Sequence, residues 1–385
     1  MVPNDWEVKP LSSITKWSSG GTPSKNNPDY WSGEIPWISA ASMRGHYFYK
    51  SELKITDLAV SNGAKMAPKD SLLLLVRGSM LWNKIPVGIA ARRVSFNQDV
   101  KCLIPHADEL TTEFLLYWFL TYEHRLMNMV TGTGIGAGKL DTTDLQGLDV
   151  FLPPLPEQRK IAKILSIWDK AITTTEKLIE TSKQQKKALM QQLLTGKKRL
   201  VNPTTGKAFE GEWEEVKLGD ISYITTGSSN REDSSLDAKY TFFDRSEDIR
   251  TSSRYLFDSE AVIVAGEGQD FVPKHFEGKF DLHQRTYAIM NFENSFGRFL
   301  YYYIGYYRHY FLAQAVGSTV KSLRLPMFQK MPINLPMMCE QKKIASVLSA
   351  ADKEIEVLEA KLAHFKQEKK ALMQQLLTGK KRVVI

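Results

Sequence analysis

The sequence predicts an α+β chain in which two mostly-β domains alternate with two long helices, with a pseudo-twofold relation between its halves. Two observations lead to this prediction. A chain of 385 residues is longer than one hydrophobic core usually supports. In addition, the second half repeats the organisation of the first, from short strand-like runs to a long helical segment at its end.

The repeat is clearest in the two helical segments. Residues 157–200 and 340–383 align without a gap and share 27 of 44 positions. Within them the stretch KKALMQQLLTGKKR is identical in both copies, at residues 186–199 and 369–382, and each copy reaches a glycine suited to ending a helix. We therefore predict two helices of about 38 residues, roughly 57 Å long at 1.5 Å per residue.

Apolar residues in both segments recur at alternating spacings of four and three, which predicts a heptad seam. The predicted seam residues are Ile161, Leu165, Trp168, Ile172, Ile179, Leu189 and Leu193 in the first helix, and Ile344, Leu348, Ile355, Leu358, Leu362, Phe365, Leu372 and Leu376 in the second. Two matched seams in one chain favour pairing with each other. Packing of each stripe on its own domain, and pairing between chains, are the alternatives.

The domains lie between these helices. We place the first domain at residues 1–152, the first long helix at 153–200, the second domain at 201–336 and the second long helix at 337–385. The stretches DWEVKPLSSITKWSSG and EWEEVKLGDISYITTG resemble each other, and the offset between matching segments falls from 207 to 183 along the chain. Falling offsets predict one scaffold with loops of different length.

Within each domain, short apolar runs such as SLLLLV and AVIVA predict strands, with one amphipathic helix near residues 111–130 and another near 296–315. The second of these helices contains the tyrosine-rich run YYYIGYYRHYF. Such a run suits a base-stacking platform, but its alignment with FLLYWFLTYEHR favours a buried helix face.

The excess positive charge lies on the helical segments. The chain has a net charge of +8, yet residues 1–156 hold 15 basic and 15 acidic side chains, and residues 201–339 hold 15 and 18. A basic chain is compatible with nucleic-acid binding. Domains without excess charge need local clusters of Lys and Arg to meet phosphates.

No strong catalytic or metal-binding motif is present in the sequence. The two cysteines are far apart, and the histidines lack HExxH or HxE spacing. A PD...ExK-like spacing that begins at Pro28 is interpreted as surface charge, whereas TGTGIGAGKL (131–140) is either a phosphate-contacting loop or an ordinary connection. We expect no catalytic residue, no metal site and, without a signal peptide or an apolar run of about 20 residues, a cytoplasmic protein.

Several segments resemble a known family. GGTPSKNNPDYWSGEIPWIS (20–39), FNQDVKCLI (96–104), LPPLPEQRKIAKIL (152–165), HQRTYAI (283–289) and the doubled QQLLTGKKR are similar to the specificity subunits of Type I restriction-modification systems. A proline-rich entry, Glu-Gln and a long helix after each of two variable domains form the most specific part of the resemblance. The second entry reads LPMMCEQ instead of LPPLPEQ, and no tandem tetrapeptide follows the first helix.

The resemblance implies two target-recognition domains that each read half of a bipartite, asymmetric double-stranded DNA target. The helices would form an antiparallel intramolecular coiled coil that spaces them. The chain would be noncatalytic and without a cofactor, and would not associate with a membrane. Two methyltransferase subunits, which bind S-adenosylmethionine, and motor-nuclease subunits would carry out adenine methylation and restriction. A stand-alone nuclease or methyltransferase with an unrecognised site, and a coiled-coil interaction protein, are the alternative functions.

Candidate DNA-contacting residues are basic side chains suited to phosphate or guanine and polar ones suited to base edges, where Asn or Gln pairs with adenine. They are Ser24, Asn26, Arg44, Arg77, Lys84, Arg92, Arg93 and Lys139 in the first domain, and Asn230, Arg231, Gln269, Lys274, Gln284, Arg285, Lys321 and Arg324 in the second. Because Gln98 and Gln284 align, scaffold roles are the alternative for both. The identical segment KKALMQQLLTGKKR favours docking of two copies of one partner, with contact to DNA between the half-sites as the alternative.

Overall fold

The computed structural model describes residues 3–134 and 136–384, which divide into two compact units. The first unit contains Met1–Thr175 and Lys361–Ile385, and the second contains Glu176–Ala360. Each unit therefore consists of one domain together with part of both long helices.

The first unit is built on two sheets of four and five strands. Its strands, β1 to β14 in chain order, are Glu7–Pro10, Thr15–Ser19, Trp31–Ile38, Tyr47–Phe48, Lys54–Ile55, Met66–Ala67, Leu72–Leu75, Arg77–Gly78, Val87–Ala90, Val94–Phe96, Val100–Pro105, Thr131–Gly132, Gly138–Lys139 and Asp149–Leu152. The sheet orders are β2-β11-β7-β9-β4 and β5-β3-β10-β6, with smaller sheets β1-β14 and β12-β13-β8. All four leucines of β7 are buried, which explains why this strand shows no polar alternation.

The helices of the first domain pack against these sheets. They are α1 to α5 in chain order, Leu11–Ile14, Asp57–Ser61, Thr112–Thr121, Glu123–Met127 and Thr142–Gln146. The helix predicted near 111–130 is thus split into α3 and α4. The side chain of Thr111 caps α3, and the six residues from Phe114 to Phe119 are all buried, so α3 is covered on every side instead of being amphipathic.

The second unit repeats the central strands of the first. Its strands, β15 to β25, are Glu214–Lys217, Tyr223–Thr226, Ser234–Ser235, Tyr240–Phe243, Arg250–Ser252, Phe257–Ala265, Glu267–Gly268, Lys274–Leu282, Thr286–Met290, Lys321–Ser322 and Pro332–Leu335. A seven-stranded sheet has the order β16-β23-β20-β22-β18-β19-β17, beside the pairs β15-β25 and β21-β24. The neighbours β16-β23-β20 correspond to β2-β11-β7, and β15-β25 to β1-β14. The prediction of one scaffold with different loops is confirmed.

The tyrosine-rich run forms a buried helix face, as predicted. The long helix α6 spans Leu155–Leu193, and the remaining helices, α7 to α10, are Gly297–Tyr306, His309–Gln314, Leu325–Gln329 and Met338–Leu376. Tyr302 and Tyr303 of α7 are buried, and burial raises the pKa of Tyr303 to about 12. The hydroxyl of Tyr302 donates to Asp352 of α10 at 2.6 Å, so this face of α7 joins the domain to a long helix.

Both long helices have 39 residues, and their segments pair antiparallel within each unit. In the first unit, Lys369 lies 2.5 Å from Asp169, and Arg382 lies 2.7 Å from Glu157. The earlier residue of the first helix, Glu157, pairs with the later residue of the second, Arg382, whereas Asp169 pairs with Lys369. The two helices are therefore antiparallel. Next to the Lys369–Asp169 pair, the rings of Trp168 and Phe365 meet edge to face, 5.6 Å apart.

The second unit repeats the same register. Lys186 pairs with Asp352, and Arg199 lies 2.7 Å from Glu340. These four residues are the counterparts, 183 positions away in sequence, of Lys369, Asp169, Arg382 and Glu157. Antiparallel pairing inside one chain is confirmed, and it applies the same two ion pairs twice.

The predicted seam residues are all buried or half-buried. The apolar stripe also packs on the domains, because Ile161, Leu165 and Leu376 belong to the core of the first unit. Leu193 and Ile344 belong to the core of the second in the same way. Pairing between the helices and packing on a domain are therefore not alternatives: each unit uses the beginning of one helix and the end of the other. In the described part of the chain no helix combines the length and apolarity needed to cross a membrane.

Candidate nucleic-acid interface

In the first domain, a polar loop leaves strand β2 at Gly20. A Cβ at this position would overlap the carbonyl oxygen of Phe96, so only glycine allows the two backbones to approach so closely. Thr22 lies two residues after Gly20, and Gln98 lies two residues after Phe96. Thr22 Oγ1 donates to Gln98 Oε1 at 2.7 Å. The loop after Gly20 therefore lies against the turn that carries Gln98.

Two tryptophans fix the course of this loop. Trp37 Nε1 donates to the carbonyl of Gly21, and Trp31 Nε1 donates to that of Ser24, both at 3.1 Å. Ser24 and Asn26 are exposed. The predicted polar candidates of this loop thus project from a backbone that is held by indole hydrogen bonds.

A basic surface of the first domain surrounds TGTGIGAGKL (131–140), the glycine-rich run. Lys139 lies opposite Arg77 in the β13-β8 pair, and its ammonium lies 3.3 Å from Asp141. The neighbouring Trp82 is 47% exposed and donates from Nε1 to the carbonyl of Gly136 at 3.1 Å. Arg77 and Lys139 are therefore brought together beside an exposed indole, while Ile135 of the same run lies outside the described residues.

Two other candidates lie far from this surface. Arg92 and Arg93 follow strand β9, which runs antiparallel to β7. The start of β7 meets the end of β9, where the amide of Asp70 donates to Ala90 at 2.8 Å, whereas Arg77 follows the opposite end of β7. Arg92 and Arg93 are exposed, and they lie at the opposite end of these strands from Arg77.

The remaining candidates of the first domain are Arg44 and Lys84, and both are exposed. Arg44 lines a groove of about 610 Å³ with the exposed side chains of Tyr47 and Tyr49. Lys84 follows Trp82 by two residues, so it extends the surface around the glycine-rich run.

In the second domain, the corresponding loop leaves strand β16 at Gly227. A Cβ there would overlap the carbonyl oxygen of Leu282, which corresponds to Phe96 of the first domain. The backbone N–H of Gln284 donates to Ser229 O at 3.0 Å, and its side-chain Nε2 donates to Asn230 Oδ1 at 2.7 Å. The loop and the glutamine-bearing turn are therefore joined here as well.

A buried carboxylate supports this loop from below. Asp281 is fully buried and accepts hydrogen bonds from Ser229 Oγ at 2.5 Å and Ser252 Oγ at 2.7 Å. Arg254 Nη2 donates to Ser229 Oγ at 2.8 Å. A buried charge is tolerated when hydrogen bonds satisfy it, and this network holds the base of the loop in one position.

Arginines converge above the loop. Arg285 donates to Glu267 at 2.7 Å, and Arg245 lies 3.8 Å from the same carboxylate. Burial lowers the pKa of His283 below 6.5, so the cleft takes its positive charge from arginine at neutral pH. The cleft has a volume of about 230 Å³ and is lined by Arg231, Asp244, Arg245, Glu267, His283, Gln284 and Arg285.

The β21-β24 pair brings three further candidates to this region. Lys321 lies opposite Gly268, directly before Gln269. Arg324 follows Leu323, whose amide donates to Gly266 at 2.8 Å. Gln269, Lys321 and Arg324 therefore lie along the segment that carries the carboxylate of Glu267.

The ammonium of Lys274 is used inside the domain. Its Nζ donates to the carbonyl of Ser246 at 2.6 Å and to that of Glu247 at 3.2 Å. Burial lowers the pKa of this lysine. These bonds hold the turn that carries Arg245.

A protein-family model described as Type I restriction modification DNA specificity domain matches residues 3–183 and 210–367. These two matches cover most of the chain. The chain belongs to the type I restriction-modification DNA specificity family. Members of the family are noncatalytic specificity subunits, so the chain is classed with DNA-recognition components and not with nucleases or methyltransferases.

Curated relatives of this specificity protein include the type I restriction enzyme MjaVIII specificity subunit of Methanocaldococcus jannaschii, which is 27% identical over 99% of the chain and 94% of the relative. The EcoR124I/EcoR124II specificity subunit of Escherichia coli is 32% identical over 45% of the chain and 43% of the relative. The resemblance identified from the sequence is confirmed.

Solved structures support the fold of this specificity protein. The S subunit of a type I restriction-modification system from M. genitalium has a TM-score of 0.66 at 16% identity and covers 98% of both chains. The HsdS subunit from Thermoanaerobacter tengcongensis has a TM-score of 0.51 at 16% identity, again over 98% of both chains. The predicted α+β class with two mostly-β target-recognition domains is confirmed.

Two residues of the candidate interface were not selected from the sequence. Arg245 lies in the arginine-lined cleft, and Trp82 flanks the pair formed by Arg77 and Lys139. Arg245 directly follows the strand-like run YTFF and Asp244, so a basic residue immediately after a strand was the available signal. Trp82 carried no such signal, because an isolated Trp in sequence is more often part of a core.

Proposed function

We propose that this chain recognises a bipartite, asymmetric DNA target, with each domain reading one half. The observation that carries the proposal is the pair of equivalent loops at Gly20 and Gly227, which share backbone contacts but present different side chains. Equivalent scaffolds with different polar groups read different base sequences, because base edges differ in their donors and acceptors.

The arginine-lined cleft of the second domain supports contact with DNA. Arg231, Arg245 and Arg285 outnumber the two carboxylates of the cleft, those of Asp244 and Glu267, in a domain without excess positive charge. Arginine meets phosphate and the O6/N7 edge of guanine with paired donors. In the first domain, Arg77, Lys84 and Lys139 fill the corresponding role beside the glycine-rich run.

The long helices would set the spacing between the two half-sites. Each contains 39 residues and has a length of roughly 58 Å, about the length of 17 base pairs. In this proposal, a change in the number of base pairs between half-sites would misplace one domain.

The partners in this proposal are two methyltransferase subunits, which supply S-adenosylmethionine, and motor-nuclease subunits for restriction. No cofactor is assigned to this chain. The repeated segment supports two equal docking surfaces: Lys187 and Lys370 are exposed at corresponding places, as are Lys198 and Lys381. Identical exposed side chains suit two copies of one partner, and the product would be N6-methyladenine in each half-site.

The test is modified-base sequencing of DNA from cells that express this chain with its methyltransferase partner, compared with cells that express the partner alone. We expect N6-methyladenine in one bipartite motif only when the chain is present. An unchanged methylation pattern, with both proteins soluble and co-purifying, would contradict the proposal. Methylation by the purified chain alone would instead support a stand-alone methyltransferase.

A further inference from the structure

We propose that Gln98 and Gln284 are equivalent base-reading residues, each contacting an adenine in the half-site of its own domain. This inference rests on the proposed function and assigns a specificity-determining side chain to each domain. The alternative is that the two glutamines align because both are scaffold groups.

The two glutamines have the same structural position. Gln98 lies two residues after Phe96 and two residues before Val100, the first residue of β11. Gln284 lies two residues after Leu282 and precedes β23 in the same way. Phe96 and Leu282 are the residues whose carbonyl oxygens leave room only for the glycine of the facing loop.

Each glutamine is oriented by one side chain of that loop. Gln98 accepts from Thr22 Oγ1, and Gln284 donates to Asn230 Oδ1, both at 2.7 Å. A glutamine amide has two donor hydrogens and two acceptor positions. After these bonds, each amide keeps a donor and an acceptor, which is the combination that pairs with N7 and the N6 amino group of adenine.

Glutamines that serve the scaffold of this protein look different. Gln158 is fully buried, donates to Glu109 O and Pro153 O, and accepts from the amide of Thr111. Its counterpart Gln341 is also fully buried. The side-chain oxygen of Gln341 accepts from one backbone N–H, and its side-chain nitrogen donates to two backbone carbonyls.

By contrast, Gln98 and Gln284 are exposed, and the bond that orients each side chain goes to another exposed side chain. A scaffold role explains burial and backbone bonding, as at Gln158. It does not explain an oriented amide facing solvent at the same place in both domains. Position, orientation and exposure together favour contact with a ligand outside the protein.

The experiment compares Gln98→Ala and Gln284→Ala in the assembled complex with its methyltransferase partner, by modified-base sequencing. We expect Gln98→Ala to lose roughly 10- to 100-fold of the discrimination at one A·T pair in the first domain's half-site. Gln284→Ala should relax one position in the other half-site. Gln329→Ala, an exposed glutamine on α9, is the matched control and should leave the motif unchanged.

Gln98→Glu provides a readout that a structural defect cannot imitate. The carboxylate still accepts from Thr22, but it favours the N4 amino group of cytosine over adenine, so the preferred base should change at one position. A wild-type motif that persists in all glutamine variants, or equal loss of methylation at every site, would overturn the inference. Failure of the wild-type chain to direct any motif would instead contradict the proposed function.

Discussion

Arg199→Ala tests whether the repeated segment clamps the long helices. Arg199 donates from Nε and Nη2 to the two oxygens of Glu340, both at 2.7 Å. The Glu340 side chain is 1% exposed and that of Arg199 is 23% exposed. Removing the arginine leaves a carboxylate in the first turn of α10 without its cation.

The expected loss follows from this burial. Removing one partner of a buried ion pair costs about 3–5 kcal/mol, because the remaining charge stays desolvated. Solvent reaches part of the Arg199 side chain, so we reduce the figure to about 2–4 kcal/mol. Replacing both residues, as in Arg199→Ala with Glu340→Leu, should recover much of this loss because no buried charge remains.

The measurement is urea denaturation of the full chain, with the midpoint and slope fitted for the wild type, both single variants and the double variant. A loss below about 0.5 kcal/mol for Arg199→Ala would refute the reasoning. A double variant no more stable than Arg199→Ala would also refute it, since the cost would then not come from the stranded carboxylate. The corresponding pair of the first unit, Arg382 and Glu157, should respond in the same direction.

Three further predictions concern other parts of the chain. Trp168→Ala removes the edge-to-face contact with Phe365 and should lower the free energy of unfolding by about 1–3 kcal/mol in denaturant titrations. An unchanged free energy of unfolding would contradict a stabilising role of this contact in the seam. Gly20→Ala should lower the melting temperature because the added Cβ overlaps backbone atoms. Gly21→Ala is the control and should leave the melting temperature unchanged, because its Cβ meets open space. Equal effects of the two substitutions would contradict the close approach of the backbones at Gly20. Partial burial lowers the pKa of His283 from its ordinary value, so the stability contributed by the neutral ring is present at pH 7.5 and decreases as pH falls towards the folded-state pKa. His283→Gln should therefore reduce the loss of stability measured between pH 7.5 and 5.5, and an unchanged loss would contradict this prediction.

The helical half of the fold was predictable because a duplicated heptad pattern depends on residues close in sequence. The function of the repeated ion pairs was not. Lys186 and Lys369 interrupt the apolar seam, and only the antiparallel register shows that each meets an aspartate of the other helix. Their partners lie more than 160 residues away, and no local pattern predicts such a pairing.

The repeated segment also has an internal role that the sequence did not predict. Its final arginine, Arg199 in one copy and Arg382 in the other, binds the buried glutamate at the start of the opposite helix. The identity of this arginine in the two copies therefore serves the fold, whereas the exposed lysines of the segment are the ones that we propose for docking of a partner.

The candidate interface was predictable only by residue type. Arg231, Gln284 and Arg285 lie in one cleft because β-strands distant in sequence place two turns together. Arg92 and Arg93 have the same side-chain chemistry as Arg77, but they lie at the opposite end of the neighbouring strands β7 and β9. Sheet order and loop course depend on long-range pairing, so the sequence could identify candidates but not their convergence.

The most direct test of two linked reading domains is binding of the assembled complex to duplexes that differ in one feature at a time. Once the motif is known, we would compare the native target with targets altered in the first half-site, in the second half-site, or in the spacer by two base pairs. We predict that each alteration weakens binding by at least tenfold at constant salt. Full affinity after loss of one half-site or after the spacer change would contradict it.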